Sequence, residues 1–257
     1  MSSLRIAFIQ AELHWEDAIA NRAQFEQYFN RISTDVDLIV LPEMFTTGFS
    51  MNPAPLAEPM DGPTHAWLRE WAARKQATLT GSLIIREGAH YYNRLLWVRP
   101  DGITATYDKR HLFSLAGEQH AYTAGRVQQV MTCKGWRILP LICYDLRFPV
   151  WSRNTMDYDL LLYVANFPDK RAHAWRSLLQ ARAIENQAYV LGVNRVGVDG
   201  NGIYYAGESC LIDYAGHFHA HLPATPASAE VNLDREKLHS FRQRFAFLPD
   251  RDRFRFM

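Results

Sequence analysis

The chain has 257 residues, 48% hydrophobic and 21% charged, with 28 basic against 27 acidic side chains. That apolar content excludes disorder and fibrous repeats. A formal net charge of +1 without a dense Lys/Arg block lacks the phosphate-neutralising surface that non-specific nucleic-acid binding requires, so a small or roughly neutral partner is expected and nucleic acid is not.

Leu4–Gln10 is a short apolar run with β-branched and aromatic members, and Trp15, Ala18, Ile19, Phe25, Phe29 and Ile32 then recur at near-helical spacing. This predicts a strand followed by an amphipathic helix. Asp37–Leu41 predicts a second strand, apolar on both faces as in sheets covered by helices, ending at Pro42-Glu43. Pro53–Pro63 reads as an irregular loop, and Asp61-Gly62-Pro63 starts a helix whose stripe of Trp67, Leu68 and Trp71 runs on to Lys75. Leu79–Arg86, Tyr91–Val98 and Ile103–Asp108 follow as strands, joined by turn chemistry at Gly88 and Pro100-Asp101-Gly102.

In the second half, Trp136–Ile142, Leu160–Val164 and Ala188–Val196 are strand-like. A short helix near Val150–Met156 and a longer one over Ala172–Asn186 separate them, the latter with Trp175, Leu178, Leu179 and Ala183 as its core face. Pro140 has no ladder donor, which predicts an edge or bulged stretch in its strand. Glu208–Ile212, Phe218–Leu222 and Ala227–Val231 close the sheet region, Arg235–Arg244 is a final helix, and Phe247–Met257 a surface tail. No linker, composition shift or short-period repeat interrupts the mixture. One α/β domain over 1–257 is expected, with a core at about 4–231 and a C-terminal helix and tail at 232–257.

Cys133, Cys143 and Cys210 are too few and too scattered for a disulfide framework, which points to a reducing compartment. The N-terminus lacks a basic region followed by a long apolar one, and no apolar run approaches the ~18–20 residues of a membrane span. A soluble cytoplasmic protein without a membrane partner is expected.

Three strand ends carry chemistry. Cys143 follows the apolar run Ile138–Ile142, Glu43 follows Leu38–Pro42, and Lys109 lies at the exit of Ile103–Asp108. A thiol, a carboxylate and an ammonium at three strand ends are complementary groups, and strand ends are a usual place for reactive groups in α/β folds. Taken singly, each also fits a bland role, as a buried cysteine, a solvated loop glutamate or a charged turn. His217-x-His219-x-His221 reads as a solvated strand face in preference to a metal site. No nucleotide-binding motif follows Gly197–Gly202, and neither metal nor cofactor is expected.

Leu41-Pro42-Glu43, Tyr107-Asp108-Lys109-Arg110-His111-Leu112-Phe113 and Ile142-Cys143-Tyr144-Asp145-Leu146-Arg147-Phe148-Pro149 resemble, in this order, the signature segments of the nitrilase (carbon–nitrogen hydrolase) superfamily. Further similarity lies in Ala181–Val190 and Asn194–Gly197, so the resemblance runs from about Leu4 to Val231. The ω-amidase branch, which hydrolyses the terminal amide of 2-oxoglutaramate or 2-oxosuccinamate, is the most similar. The resemblance implies a four-layer α-β-β-α sandwich and a homodimer paired through a helical face, with Val150–Met156, Ala172–Asn186 and the C-terminal segment as contributors. It implies Cys143 as nucleophile, Glu43 as general base and Lys109 as the cation beside the oxyanion, helped by the backbone N–H of Tyr144. Glu118, in Gly117–Gly125, resembles the family's second glutamate, which positions substrate and lysine. Arg147 stands where the ω-amidase pattern carries an arginine for the substrate carboxylate, and structural pairing with Asp145 or Asp159 is the alternative. Phe167, in Tyr163–Pro168, resembles the acid-pocket segment; Asp169-Lys170-Arg171 follows, where other members of the branch differ.

Rival readings are a true nitrilase or a carbamoylase using the same three groups, and an inactive scaffold on the same fold. A Trp-Glu-like pair often follows the cysteine in nitrilases, whereas Tyr144-Asp145 fits the amidase branch, and a scaffold is expected to lack one of the three groups. A Cys–His hydrolase is a further option, with His111, His120 or His173 as base.

Overall fold

The computed structural model describes residues 3–256, so the ends of the predicted domain and tail at Met1, Ser2 and Met257 lie outside the described residues. Strands are β1 (Ser3–Gln10), β2 (Leu38–Val40), β3 (Thr78–Glu87), β4 (His90–Val98), β5 (Thr104–Asp108), β6 (Met131–Cys133), β7 (Trp136–Ile142), β8 (Leu160–Ala165), β9 (Tyr189–Asn194), β10 (Val196–Val198), β11 (Tyr204–Ala206), β12 (Cys210–Ile212), β13 (Phe218–His221) and β14 (Ala227–Asp234). Helices are α1 (Ala18–Arg31), α2 (Pro53–Leu56), α3 (Pro63–Lys75), α4 (Glu118–Ala121), α5 (Pro149–Ser152), α6 (Ala172–Asn186) and α7 (Arg235–Arg244).

Two six-stranded sheets form, in the orders β14-β1-β2-β3-β4-β5 and β13-β12-β9-β8-β7-β6. Their directions repeat: β1, β2 and β3 are mutually parallel with antiparallel strands outside them, and so are β7, β8 and β9. The alternation of side chains along β1 sorts its apolar residues between two layers. Leu4, Ile6 and Phe8 join the cluster that includes β7 and β8 of the second sheet. Ala7 and Ile9 join the one built with Phe25 and Phe29 of α1 and Leu68 and Trp71 of α3. On the far side, Trp175, Leu179 and Ala183 of α6 cover the second sheet. The layers are therefore helix, sheet, sheet, helix, the expected α-β-β-α sandwich. No helix among the described residues is long and apolar enough to cross a membrane.

Local chemistry explains the elements and the departures from expectation. The Asp17 side chain accepts from Ala20 N at 2.9 Å to cap α1, and Pro63 opens α3 as anticipated. Pro140 sits on β7 past the end of β6, whose last partner on β7 is Ile138, so its missing donor faces a local sheet edge inside an otherwise paired strand. The predicted strand over Ala188–Val196 breaks after Asn194. That side chain accepts from Phe167 N at 2.8 Å and Arg195 N at 3.0 Å and donates to the carbonyls of Phe167 and Gly207. These bonds compete with the ladder, and the chain turns into the separate ribbon β10-β11. The helix expected near Val150–Met156 is only the turn Pro149–Ser152, because buried Asn154 binds Tyr158 and Asn186 and holds the following chain as a loop. The loop predicted at Pro53–Pro63 contains the helical turn α2.

Candidate active site

Cys143 is the first residue past β7 and begins a short 3₁₀ turn, Cys143–Arg147. Its φ of 44° is left-handed, a conformation an L side chain adopts only when its surroundings impose it. Buried Asp145 supplies that constraint. It accepts from Ile142 N at 3.1 Å, Tyr107 Oη at 2.7 Å, His111 N at 3.0 Å and His111 Nδ1 at 2.8 Å. One carboxylate thus ties the cysteine turn to the chain leaving β5, where Lys109 lies.

Glu43 stands beyond β2, fully buried, and every contact of its carboxylate is a donor. Asn93 Nδ2 and Lys109 Nζ reach Oε1 at 2.7 and 3.0 Å, and Asn166 N reaches Oε2 at 2.8 Å. Asn166 Nδ2 also donates to the Glu43 carbonyl at 2.7 Å, clamping β2 to the end of β8. Lys109 donates to Glu118 as well, at 3.0 and 2.9 Å, and both side chains are inaccessible. Burial alone would lower the Lys109 pKa, but the Glu118 and Glu43 carboxylates outweigh it and raise the pKa, keeping the ammonium charged. Burial pushes Glu118 upward despite Lys109. The Cys143 thiol is held well above the ordinary range, chiefly by burial and then by the Glu43 charge, with Lys109 opposing. The resting Cys143 side chain is consequently a neutral thiol, close to a buried carboxylate and a buried ammonium. Sγ lies 3.9 Å from the Asn166 carbonyl oxygen.

Glu43, Lys109, Cys143 and Glu118, apart in sequence, are thus brought together. Cys143, Tyr144, Arg147 and Phe167 line one cavity of about 590 Å³, with Asn166, Phe113, Arg171, Trp15, Glu16 and Tyr205 among the other walls. Asp145 is occupied as described, and Asp159 binds Arg235 and Arg242 at 3.3 and 3.4 Å. Neither pairs with Arg147, which instead lies 5.8 Å from the Phe167 ring centroid. None of the residues lining the cavity is a histidine: His111 turns to Asp145 and stacks on Phe148, and His120 meets Gln119. His217 and His219 both contact Asp213. Cys133 and Cys210 are buried elsewhere, with thiols pushed up by burial to about 11 and about 12.

Sequence reading missed the supports. Asn93 is a polar residue in the middle of an apolar strand, a signal that was available; Asn166 stands next to Phe167 in a segment already singled out. Trp15, Glu16 and Tyr205 carry no such signal, since a turn after β1 and the distant strand β11 deliver them to the cavity.

The chain is 50% identical over 255 residues to "Omega-amidase YafV" of Yersinia enterocolitica, covering 99% of each chain. It is 33% identical to the "2-oxoglutaramate amidase" of Bacillus subtilis, over 81% of this chain and 82% of that one. The crystal structure of XC1258 from Xanthomonas campestris, a CN-hydrolase superfamily protein with an arsenic adduct in its active site, superposes with a TM-score of 0.98 at 44% identity over the whole of both chains. With residues 5–243 matching the family described as Carbon-nitrogen hydrolase, this chain belongs to the carbon-nitrogen hydrolase family.

Proposed function

We propose that this protein is an ω-amidase that releases ammonia from the terminal amide of short 2-oxo dicarboxylic acid monoamides, such as 2-oxoglutaramate and 2-oxosuccinamate, through a thioester on Cys143. The family and the relatives named above support amide hydrolysis. The observation that carries the substrate class is Arg147: it shares a turn with Cys143, opens into the same cavity and has no carboxylate partner among the described residues. A guanidinium fork left free there suits the carboxylate of a small acid.

In this mechanism Glu43 takes the thiol proton as Sγ attacks the amide carbon. Charge that develops on the carbonyl oxygen meets the Lys109 ammonium and the Tyr144 N–H, one of the first amides of a helical turn and so without a partner in that turn. Glu43 passes its proton to the departing nitrogen, the C–N bond breaks and ammonia leaves. Water then gives a proton to Glu43 and attacks the thioester carbonyl, the C–S bond breaks, and the acid and the thiol are restored. Glu118 keeps Lys109 in place, and Phe167 forms the wall beside the acid end. No step calls for a metal or cofactor.

Substrate anchoring can be tested with Arg147→Lys, which keeps a charge and loses the fork. KM for 2-oxoglutaramate should rise, with an overall loss in kcat/KM of roughly 10–100-fold, the scale of a charged hydrogen bond worth about 1.5–3 kcal/mol. An amide lacking the carboxylate should be a poor substrate for both enzymes and differ little between them. Equal damage to both substrates would make Arg147 structural and remove the main support for this substrate class.

The same reading takes residues 1–257 as one catalytic unit acting in the cytoplasm as a homodimer. Exposed apolar side chains at Val150, Ile184, Phe245 and Phe247, on or beside α5, α6 and α7, support pairing through these segments. Light scattering at micromolar concentration should give twice the chain mass; a monomer would exclude the dimer.

A further inference from the structure

The cavity over Cys143 contains a second guanidinium that the mechanism above leaves unused. Arg171 directly precedes α6, and its guanidinium, which carries donors only, cannot cap the N–H groups of that helix. It lies against two rings of the cavity wall, 5.0 Å from the Phe113 centroid and 6.0 Å from that of Phe167, the same ring that Arg147 approaches at 5.8 Å. Both guanidiniums line the cavity, and among the described residues neither is paired with a carboxylate. The acids of the same cavity are already engaged. Asp199 accepts from Asn201 N, Ile203 N and Tyr205 Oη at 2.8, 3.0 and 2.9 Å, and Glu16 accepts from Ser50 Oγ at 2.5 Å.

Two forked cations around one phenyl ring offer more donors than a single carboxylate uses. A 2-oxo acid presents a third acceptor oxygen, on the carbon next to its carboxylate. The matching 2-amino acid presents an ammonium at that carbon, with donors only and a positive charge. We propose that Arg171 reads the substituent at C2, donating to the 2-oxo oxygen while Arg147 holds the carboxylate, and excluding amino acid amides such as glutamine by repelling their ammonium. The inference rests on the ω-amidase reading and adds to it the residue that sets selectivity. Its physics is attraction to one ligand combined with repulsion of its competitor, which discriminates better than attraction alone. An arginine serves because it stays charged at any working pH.

The test compares kcat/KM for 2-oxoglutaramate, glutamine and glutaramate, the last with no substituent at C2, in the native enzyme, Arg171→Gln and Arg171→Lys. Arg171→Gln should lower activity on 2-oxoglutaramate by about 10–100-fold, the loss of one charged hydrogen bond. Glutaramate should change by less than about threefold, and glutamine should be unchanged or improved, so the preference for oxo over amino collapses by a factor on the order of 10–100. Arg171→Lys keeps the charge and should keep glutamine out. Equal factors on all three substrates, or no change on any, would overturn the role of Arg171 while leaving the ω-amidase reading intact. A native enzyme that does not turn over 2-oxoglutaramate removes both.

Discussion

Cys143→Ala should abolish turnover, to below about one part in a thousand of native kcat, while thermal unfolding and circular dichroism stay close to native. The substitution removes the sulfur and little volume, and alanine tolerates the left-handed backbone of that turn no worse than cysteine does. The same thiol should betray its surroundings in alkylation. Burial and the Glu43 charge raise its pKa, so the thiolate fraction at neutral pH is small and grows about tenfold per pH unit below the pKa. Inactivation by iodoacetamide should therefore accelerate steadily from pH 6 to pH 8. A rate that plateaus near neutrality would mean a preformed thiolate and would remove the need for Glu43 as base. Mass spectrometry should find the inactivating adduct on Cys143, which lines the cavity, since Cys133 and Cys210 are buried outside it. An adduct on either of those in the inactivated enzyme would point to a different nucleophile.

Glu43→Gln and Lys109→Met should each lower kcat by two or more orders of magnitude, for separate reasons. Glutamine keeps the shape of Glu43 but cannot take the thiol proton. Both oxygens of Glu43 face donors, on Asn93 and Lys109 on one side and on the Asn166 N–H on the other. The amide NH₂ must then oppose one of them, at a stability cost of about 1–3 kcal/mol. Lys109→Met removes the charge beside the oxyanion, and losing one such donor typically costs about 10²–10³ in rate. It also leaves Glu43 and Glu118 buried without their shared cation, a loss of about 3–5 kcal/mol in comparable buried pairs. A second variant, Lys109→Met with Glu118→Gln, relieves that repulsion and should regain stability without regaining activity. In the folded fraction KM should move far less than kcat, because the lost interactions belong to the transition state. A folded Lys109→Met enzyme with near-native kcat would remove the oxyanion role.

Much of this architecture is legible in local sequence. The apolar runs of β1, β2, β7 and β8, the Pro63 start of α3 and the Trp175, Leu179 and Ala183 face of α6 follow from periodicity and from single residues with fixed backbone preferences. Thiol, carboxylate and ammonium were also visible, because each stands just past the end of a strand. Among the shortest elements, β6, β11 and α2 were not visible, since three or four residues cannot express a period, whereas β2 stands out by its apolar run. The break after Asn194 escaped for a different reason: it is made by side-chain hydrogen bonds to Phe167 and Gly207, residues that sequence order does not place beside it.

By itself, then, the sequence determined most of the longer strands and helices and which residue types stand at their ends, because those depend on spacing along one chain. Only the tertiary structure decided the relations across the chain. Two sheets with the same pattern of strand directions stack face to face, bringing the end of β2 against the end of β8 through the Glu43–Asn166 bonds. Asp145 fixes the turn of Cys143 to the segment of Lys109, and Asp159 is taken up by Arg235 and Arg242, leaving Arg147 without a carboxylate partner among the described residues. Arg171 emerged as its neighbour for the same reason: whether a charge is paired or open to a ligand depends on which distant groups folding brings within hydrogen-bond reach, and local spacing carries no record of that.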